Sequence, residues 1–215
     1  MAIHMNREVN KGYHYNNQVD MLPLFGGSGC RKGDFKKLVA EELGVEEENI
    51  YGMDLYLYNR MQPSVWGADK EFISCPQLDD LQCAYTSLMG FLKGEDDSAV
   101  NVFACFDNEE VGSGTKQGAA STFLYDTLYR VNLCLGKGEE AFLRAVSKSF
   151  MLSCDNAHAV HPNHPDKTDE GNCVYMNEGI VVKSHAGQKY TSDAVSIAVF
   201  RGICEEAGVP LQFFA

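Results

Sequence analysis

The run from Val100 to Gly114 reads Val-Asn-Val-Phe-Ala-Cys-Phe-Asp-Asn-Glu-Glu-Val-Gly-Ser-Gly. A largely apolar stretch with strand character leads into Asp107, Glu109 and Glu110, and a Gly-Ser-Gly turn follows. A buried strand that stops on carboxylates has a use for negative oxygen at its end. In an α/β sheet the carboxyl ends of strands are where sites are built. Two other apolar segments do the same: Glu71–Leu78 delivers Asp79 and Asp80, and Met151–Ser153 leads to Asp155. Oxygen ligands, with some histidine, suit zinc, manganese or cobalt. Two metals ~3.5–4 Å apart would lower the pKa of a bound water towards ~7 and clamp a scissile carbonyl. A carboxylate outside the ligand set would then serve as general base.

Each cluster also has a plainer reading. Glu pairs recur at Glu41-Glu42, Glu139-Glu140 and Glu205-Glu206, where a solvated helix face explains them. From context alone a solvated loop explains Glu109-Glu110 equally well. Asp79 or Asp80 can be an ordinary helix N-cap. His158, His161 and His164 follow Asp155 closely, and Pro162 argues against a helix there, so a His-rich surface loop accounts for them.

The elements that must position these groups are readable in outline. Residues 1–65 are rich in Asn, Tyr and Met, and Met53–Tyr58 alternates like a half-buried strand. Asp34 is placed to cap a helix with an apolar stripe of Phe35, Leu38, Val39 and Leu43, stopped by Gly44. From residue 66 strands and helices alternate. Leu81, Ala84, Tyr85, Leu88 and Leu92 share a helical face ended by Gly94. Val100–Phe106 reads as a strand, 118–135 as a long helix ended by Gly136, and Glu139–Phe150 as another helix. Ile180–Lys183 reads as a strand. Ser192 or Asp193 caps a helix through Ala207, stopped at Gly208, and Val209–Phe214 is the last strand. The pattern predicts an α/β sheet with helices on its faces.

The chain has 215 residues, 45% hydrophobic and 22% charged, with a net charge of −12. That balance argues against nucleic acid as a partner. No apolar stretch approaches the ~20 residues of a membrane span. The N-terminus has no apolar signal-peptide core. Eight cysteines without a CxxC spacing, several inside apolar runs, read as free thiols of a cytoplasmic protein.

Asp-Asn-Glu-Glu-Val-Gly-Ser at 107–113, Pro-Gln-Leu-Asp-Asp at 76–80 and Asp-Asn-Ala-His-Ala-Val-His-Pro-Asn at 155–163 resemble the aspartyl aminopeptidase family of dinuclear zinc exopeptidases. The opening Ala-Ile-His-Met-Asn-Arg-Glu-Val-Asn, the Leu22-Pro-Leu24 segment and the closing Gly-Val-Pro-Leu-Gln-Phe-Phe share the resemblance. It implies an incomplete three-layer α/β/α zinc-exopeptidase-like catalytic domain over 66–215, preceded by part of a β-rich lid or dimerisation domain over 1–65.

By the same resemblance, Asp79 bridges two divalent metals, zinc first and manganese or cobalt as alternatives. Glu110 and Asp155 each ligate one, and Glu109 is the general base. Lys183 supplies the cation for an N-terminal Asp or Glu of a peptide substrate. His158 lies near the substrate. His4 reaches a neighbouring subunit's site in a homo-oligomer. The family's two histidine metal ligands match no position in this sequence. The expectation is therefore an internal piece with little or no peptidase activity alone. The rival expectation is a non-catalytic assembly subunit, which would have no need of the four carboxylates.

Overall fold

The computed structural model describes residues 2–95 and 98–215. The chain divides into two compact units, Met1–Tyr58 and Asn59–Ala215.

In the first unit the regular element is helix α1, Asp34–Leu43, accompanied by short 3-10 turns. Gly33, at φ +103°, takes the cap position that Asp34 was expected to fill. Asp34 is instead the first helical residue, and its Oδ2 accepts from the Arg31 backbone N–H at 2.7 Å. Gly44 stops the helix in the left-handed region, and the Val45 N–H closes back on the Ala40 carbonyl. Ala40 is the buried residue of this helix. Met53–Tyr58 joins no sheet among the described residues, and Tyr56, Leu57 and Tyr58 are exposed. Alternation marks a strand only when a partner accepts its backbone.

The second unit carries the α/β pattern. β1 (Ser64–Trp66) and β2 (Phe72–Ser74) form an antiparallel hairpin, with Trp66 stacked on Phe72. Helix α2, Leu78–Lys93, follows, then α3, Phe123–Cys134, and α4, Glu139–Ser147. Tyr125 and Tyr129 of α3 meet the buried Phe142 of α4 edge-on, with ring centroids 5.2 and 5.3 Å away.

The expected start of α3 at residue 118 is a turn instead. Gly118 is pressed against the Ser113 backbone, and a Cβ there would collide with the Ser113 carbonyl oxygen. Val100–Phe106 also departs from expectation, since it enters neither sheet among the described residues. Its apolar side chains suit a strand, but no ladder partner is there to make one.

The last part is a β–α–β unit. β3 (Ile180–Lys183) pairs in parallel with β4 (Leu211–Phe214), and α5 (Ala194–Ala207) makes the crossover. Asp193 and Ser196 form a capping box at the start of α5, and Gly208 ends it in the left-handed region. Gly179 lets β3 begin against Pro210, whose carbonyl oxygen leaves no room for a Cβ. This locked pair sets Lys183 at the carboxyl end of β3, in register with Phe214.

Candidate metal centre

Asp79 and Asp80 lie in the first turn of α2, but neither has helical backbone angles, and regular helix runs from Leu81. The break turns both carboxylates towards the segment that carries Asp155. One oxygen each from Asp79, Asp80 and Asp155 lie within 4.8 Å of one another, the group of potential metal-ligating side chains found among the described residues.

Asn156 ties the two segments together. Its side-chain amide donates to the Leu78 carbonyl at 3.2 Å, and its Oδ1 accepts from the Cys83 thiol at 3.0 Å. Residues 78–83 and 155–156, more than seventy positions apart in sequence, are thus fixed side by side.

Asp80 is the half-buried member, and its Oδ1 is buried with no hydrogen-bond partner. The single proton of Cys83 is already given to Asn156. Burial pushes the Asp80 carboxyl above its ordinary range; the nearby Cys83 thiol and Lys183 oppose this, and the charges of Asp155 and Asp79 add to it. Burial and the neighbouring Asp80 carboxylate push the Cys83 thiol up to about 12.

Glu109 is exposed, in the turn after the Val100–Phe106 segment. Asn108, at φ +63°, starts that turn; its carbonyl accepts from Gly112 N–H at 2.7 Å, and its side chain reaches Thr115 Oγ1 at 3.2 Å. Asp107 N–H donates to the Gln117 carbonyl at 3.0 Å and closes the loop at its base. Loss of water contact raises the Glu109 carboxyl above its usual range, and repulsion from Glu110, Asp155, Asp79 and Asp80 raises it further. Glu110 is exposed and lies outside the three-aspartate group.

Lys183 meets Asp155 directly. Its ammonium donates to Asp155 Oδ2 at 2.5 Å and to the Asn156 carbonyl at 2.5 Å, with the Tyr190 ring 5.9 Å away. His158 is exposed, three residues past Asp155 and outside the carboxylate group. His4 is exposed in the 3-10 turn Ile3–Met5 of the first unit.

The sequence pointed to Asp79 and not to Asp80, which the structure brings into the same carboxylate group. The available signal was the Asp-Asp pair itself, at a helix start where one carboxylate suffices for a cap. The roles of Asn156 and Cys83 carry no sequence signal, because each is an ordinary residue made important by a distant partner.

The donor set can be weighed against a divalent ion. A buried carboxylate oxygen without a donor is costly, and a cation relieves it. Three carboxylates in one group offer hard oxygen ligands of the kind manganese or magnesium takes; zinc usually adds nitrogen or sulfur. The residues fit a divalent cation.

Comparison with known proteins decides the family. Residues 1–215 match the model of the family described as aminopeptidase I zinc metalloprotease (M18). The chain belongs to the M18 peptidase family. A probable M18 family aminopeptidase 2 of Clostridium acetobutylicum is 48% identical over 217 residues, covering 100% of this chain and 50% of that protein. Aspartyl aminopeptidase 4 of Saccharomyces cerevisiae is 31% identical over 252 residues, covering 100% of the chain and 51% of that protein. Among solved structures, the cryo-EM structure of the Ape4 and Nbr1 complex superposes with a TM-score of 0.82 at 29% identity, covering 100% of this chain and 46% of that one. This M18 chain thus spans about half the length of the curated relatives it matches. Its α/β architecture is that of the family, in incomplete form.

Proposed function

We propose that this chain supplies the carboxylate part of a dinuclear metal centre in an aminopeptidase that removes an N-terminal Asp or Glu from peptides. The observation that carries the reading is the convergence of Asp79, Asp80 and Asp155 from distant segments. When bound, the metal would supply a Lewis acid and a water of lowered pKa. Asp79, Asp155 and Glu110 would hold zinc, or manganese or cobalt in its place, with Asp80 adding a fourth carboxylate.

Glu109 suits a general base. Its raised proton affinity lets it take a proton from water and return it to the leaving amine. Lys183 would meet the acidic side chain of the substrate, and His158 would border it. His4, in a lid unit over residues 1–65, would reach a neighbouring subunit in a homo-oligomer, and the catalytic unit would occupy 66–215. Val65, Ile73, Val102 and Val195 are all exposed, apolar surface that a second copy or the remaining half of a longer enzyme would cover. Eight free cysteines suit a reducing, cytoplasmic setting. No helix among the described residues is long and apolar enough to cross a membrane.

The described ligand group holds no histidine, so the chain alone should hydrolyse peptides poorly if at all. The test is complementation. Release of Asp from an N-terminal-Asp peptide is measured for the 215-residue chain alone and when it replaces the matching half of the Clostridium relative. Activity in the chimaera, lost on Glu109→Gln, is the expected result. A folded but inactive chimaera favours the non-catalytic assembly subunit.

A further inference from the structure

Three carboxylate oxygens within 4.8 Å of one another repel, and one cation already answers them. Lys183 is bound to Asp155 Oδ2, an oxygen of one of the three carboxylates. The ammonium is not a loosely placed surface charge. Its side chain is 19% exposed, against 47% for Asp155. The Asn156 carbonyl holds it from a second side and the Tyr190 ring flanks it. Its backbone is fixed by the β3–β4 register, and the next residue, Ser184, donates its N–H to the Phe214 carbonyl at 2.8 Å. A divalent ion among Asp79, Asp80 and Asp155 would lie close to this ammonium, and the two cations would repel.

We propose that Lys183 is a built-in competitor for the metal: it neutralises Asp155 in the metal-free chain, and metal loading and release of Lys183 from Asp155 are one event. The inference rests on the metal-centre reading given above. Its consequence is a coupling between loading and recognition. The ammonium proposed to meet an acidic substrate is engaged by Asp155 until metal replaces it there, so an unloaded site offers the substrate little free positive charge.

The prediction has an unusual sign, because removing a charged residue from the site improves metal binding. Manganese is the probe, since the free thiols compete for zinc. The reduced chain, Lys183→Met and Lys183→Arg are titrated with Mn²⁺ at neutral pH, and free ion is read by electron paramagnetic resonance. Lys183→Met should bind about tenfold more tightly or better, while Lys183→Arg, which keeps the charge, should stay within about threefold of wild type.

A second readout avoids dependence on the folding of a variant. Acetylation of Lys183 in the wild-type chain, mapped by mass spectrometry, should speed up when Mn²⁺ saturates the site. Equal or weaker binding by a folded Lys183→Met, an equal gain in both variants, or acetylation that slows with metal would overturn the competitor role and leave the metal centre standing. No saturable binding by any form would overturn the metal-centre reading and this inference with it.

Discussion

Asp80→Asn separates stability from metal binding. Asp80 faces Asp79 and Asp155 with ligand oxygens no more than 4.8 Å apart. Two unit charges at that distance repel by about 3.5 kcal/mol at an effective dielectric of 20 and by about 0.9 kcal/mol at that of water. Asp79 and Asp155 are exposed, so the true figure sits towards the lower end, and Lys183 offsets the Asp155 share. Removing the Asp80 charge ends two such repulsions, and an amide nitrogen gives the buried position a donor its neighbours can accept. The metal-free chain should gain about 1–2 kcal/mol. If Asp80 ligates the metal as proposed, the same change removes an anionic ligand, and Mn²⁺ affinity should fall by about tenfold or more.

Urea unfolding with and without Mn²⁺ reads both effects. The order of stability should invert: the variant is more stable without metal and less stable with saturating metal. Because the folded value of Asp80 lies above its unfolded one, the proton it holds favours the fold at low pH, and that contribution fades as pH rises through the raised value. Wild-type stability without metal should therefore decline across that acidic window more than in Asp80→Asn. A variant that is less stable without metal, or equally favoured with and without it, would refute the reasoning.

Asn156→Ala should cost about 1–3 kcal/mol and weaken Mn²⁺ binding, since it frees the Asp155 segment from Leu78 and Cys83; an unchanged metal affinity in a folded variant would contradict its positioning role. Cys83, with its thiol pushed up to about 12, should be among the slowest cysteines to alkylate with iodoacetamide at pH 8, and early labelling in a peptide map would count against the burial argument. Asp193→Ala should lower the urea midpoint by loosening the start of α5. The Ser196 N–H holds the Asp193 carboxyl below its ordinary range, so its contribution is present above the unfolded value and lost as pH falls through the folded one. A variant whose deficit persists unchanged at low pH would refute that assignment.

The helices were legible because their signals are local. The α5 cap at Asp193 and stop at Gly208 are written within sixteen residues, and the structure uses both. β3 also stands where the sequence placed it, bounded by a glycine that only a tight approach explains. Val100–Phe106 and Met53–Tyr58 have the composition of strands, but a strand needs a partner, and pairing is not encoded in the segment itself. Asp34 lost the cap to Gly33 because a residue with φ +103° had to precede the helix, a demand invisible in residue type. At the candidate site, the apolar runs ending on Asp79 and Asp155 lead to carboxylates that the structure brings into one group. Periodicity could not reveal Asp80, because the helical period breaks at that step. The Lys183–Asp155 contact spans 28 positions and has no local trace at all.

Asp79, Asp80 and Asp155 are proposed to form a metal centre. The most direct test is anomalous X-ray scattering from crystals of the chain soaked in Mn²⁺. A peak is expected among these three carboxylates, absent after Asp155→Asn. Peaks confined to other carboxylates or to histidines, with none at this group, would contradict it.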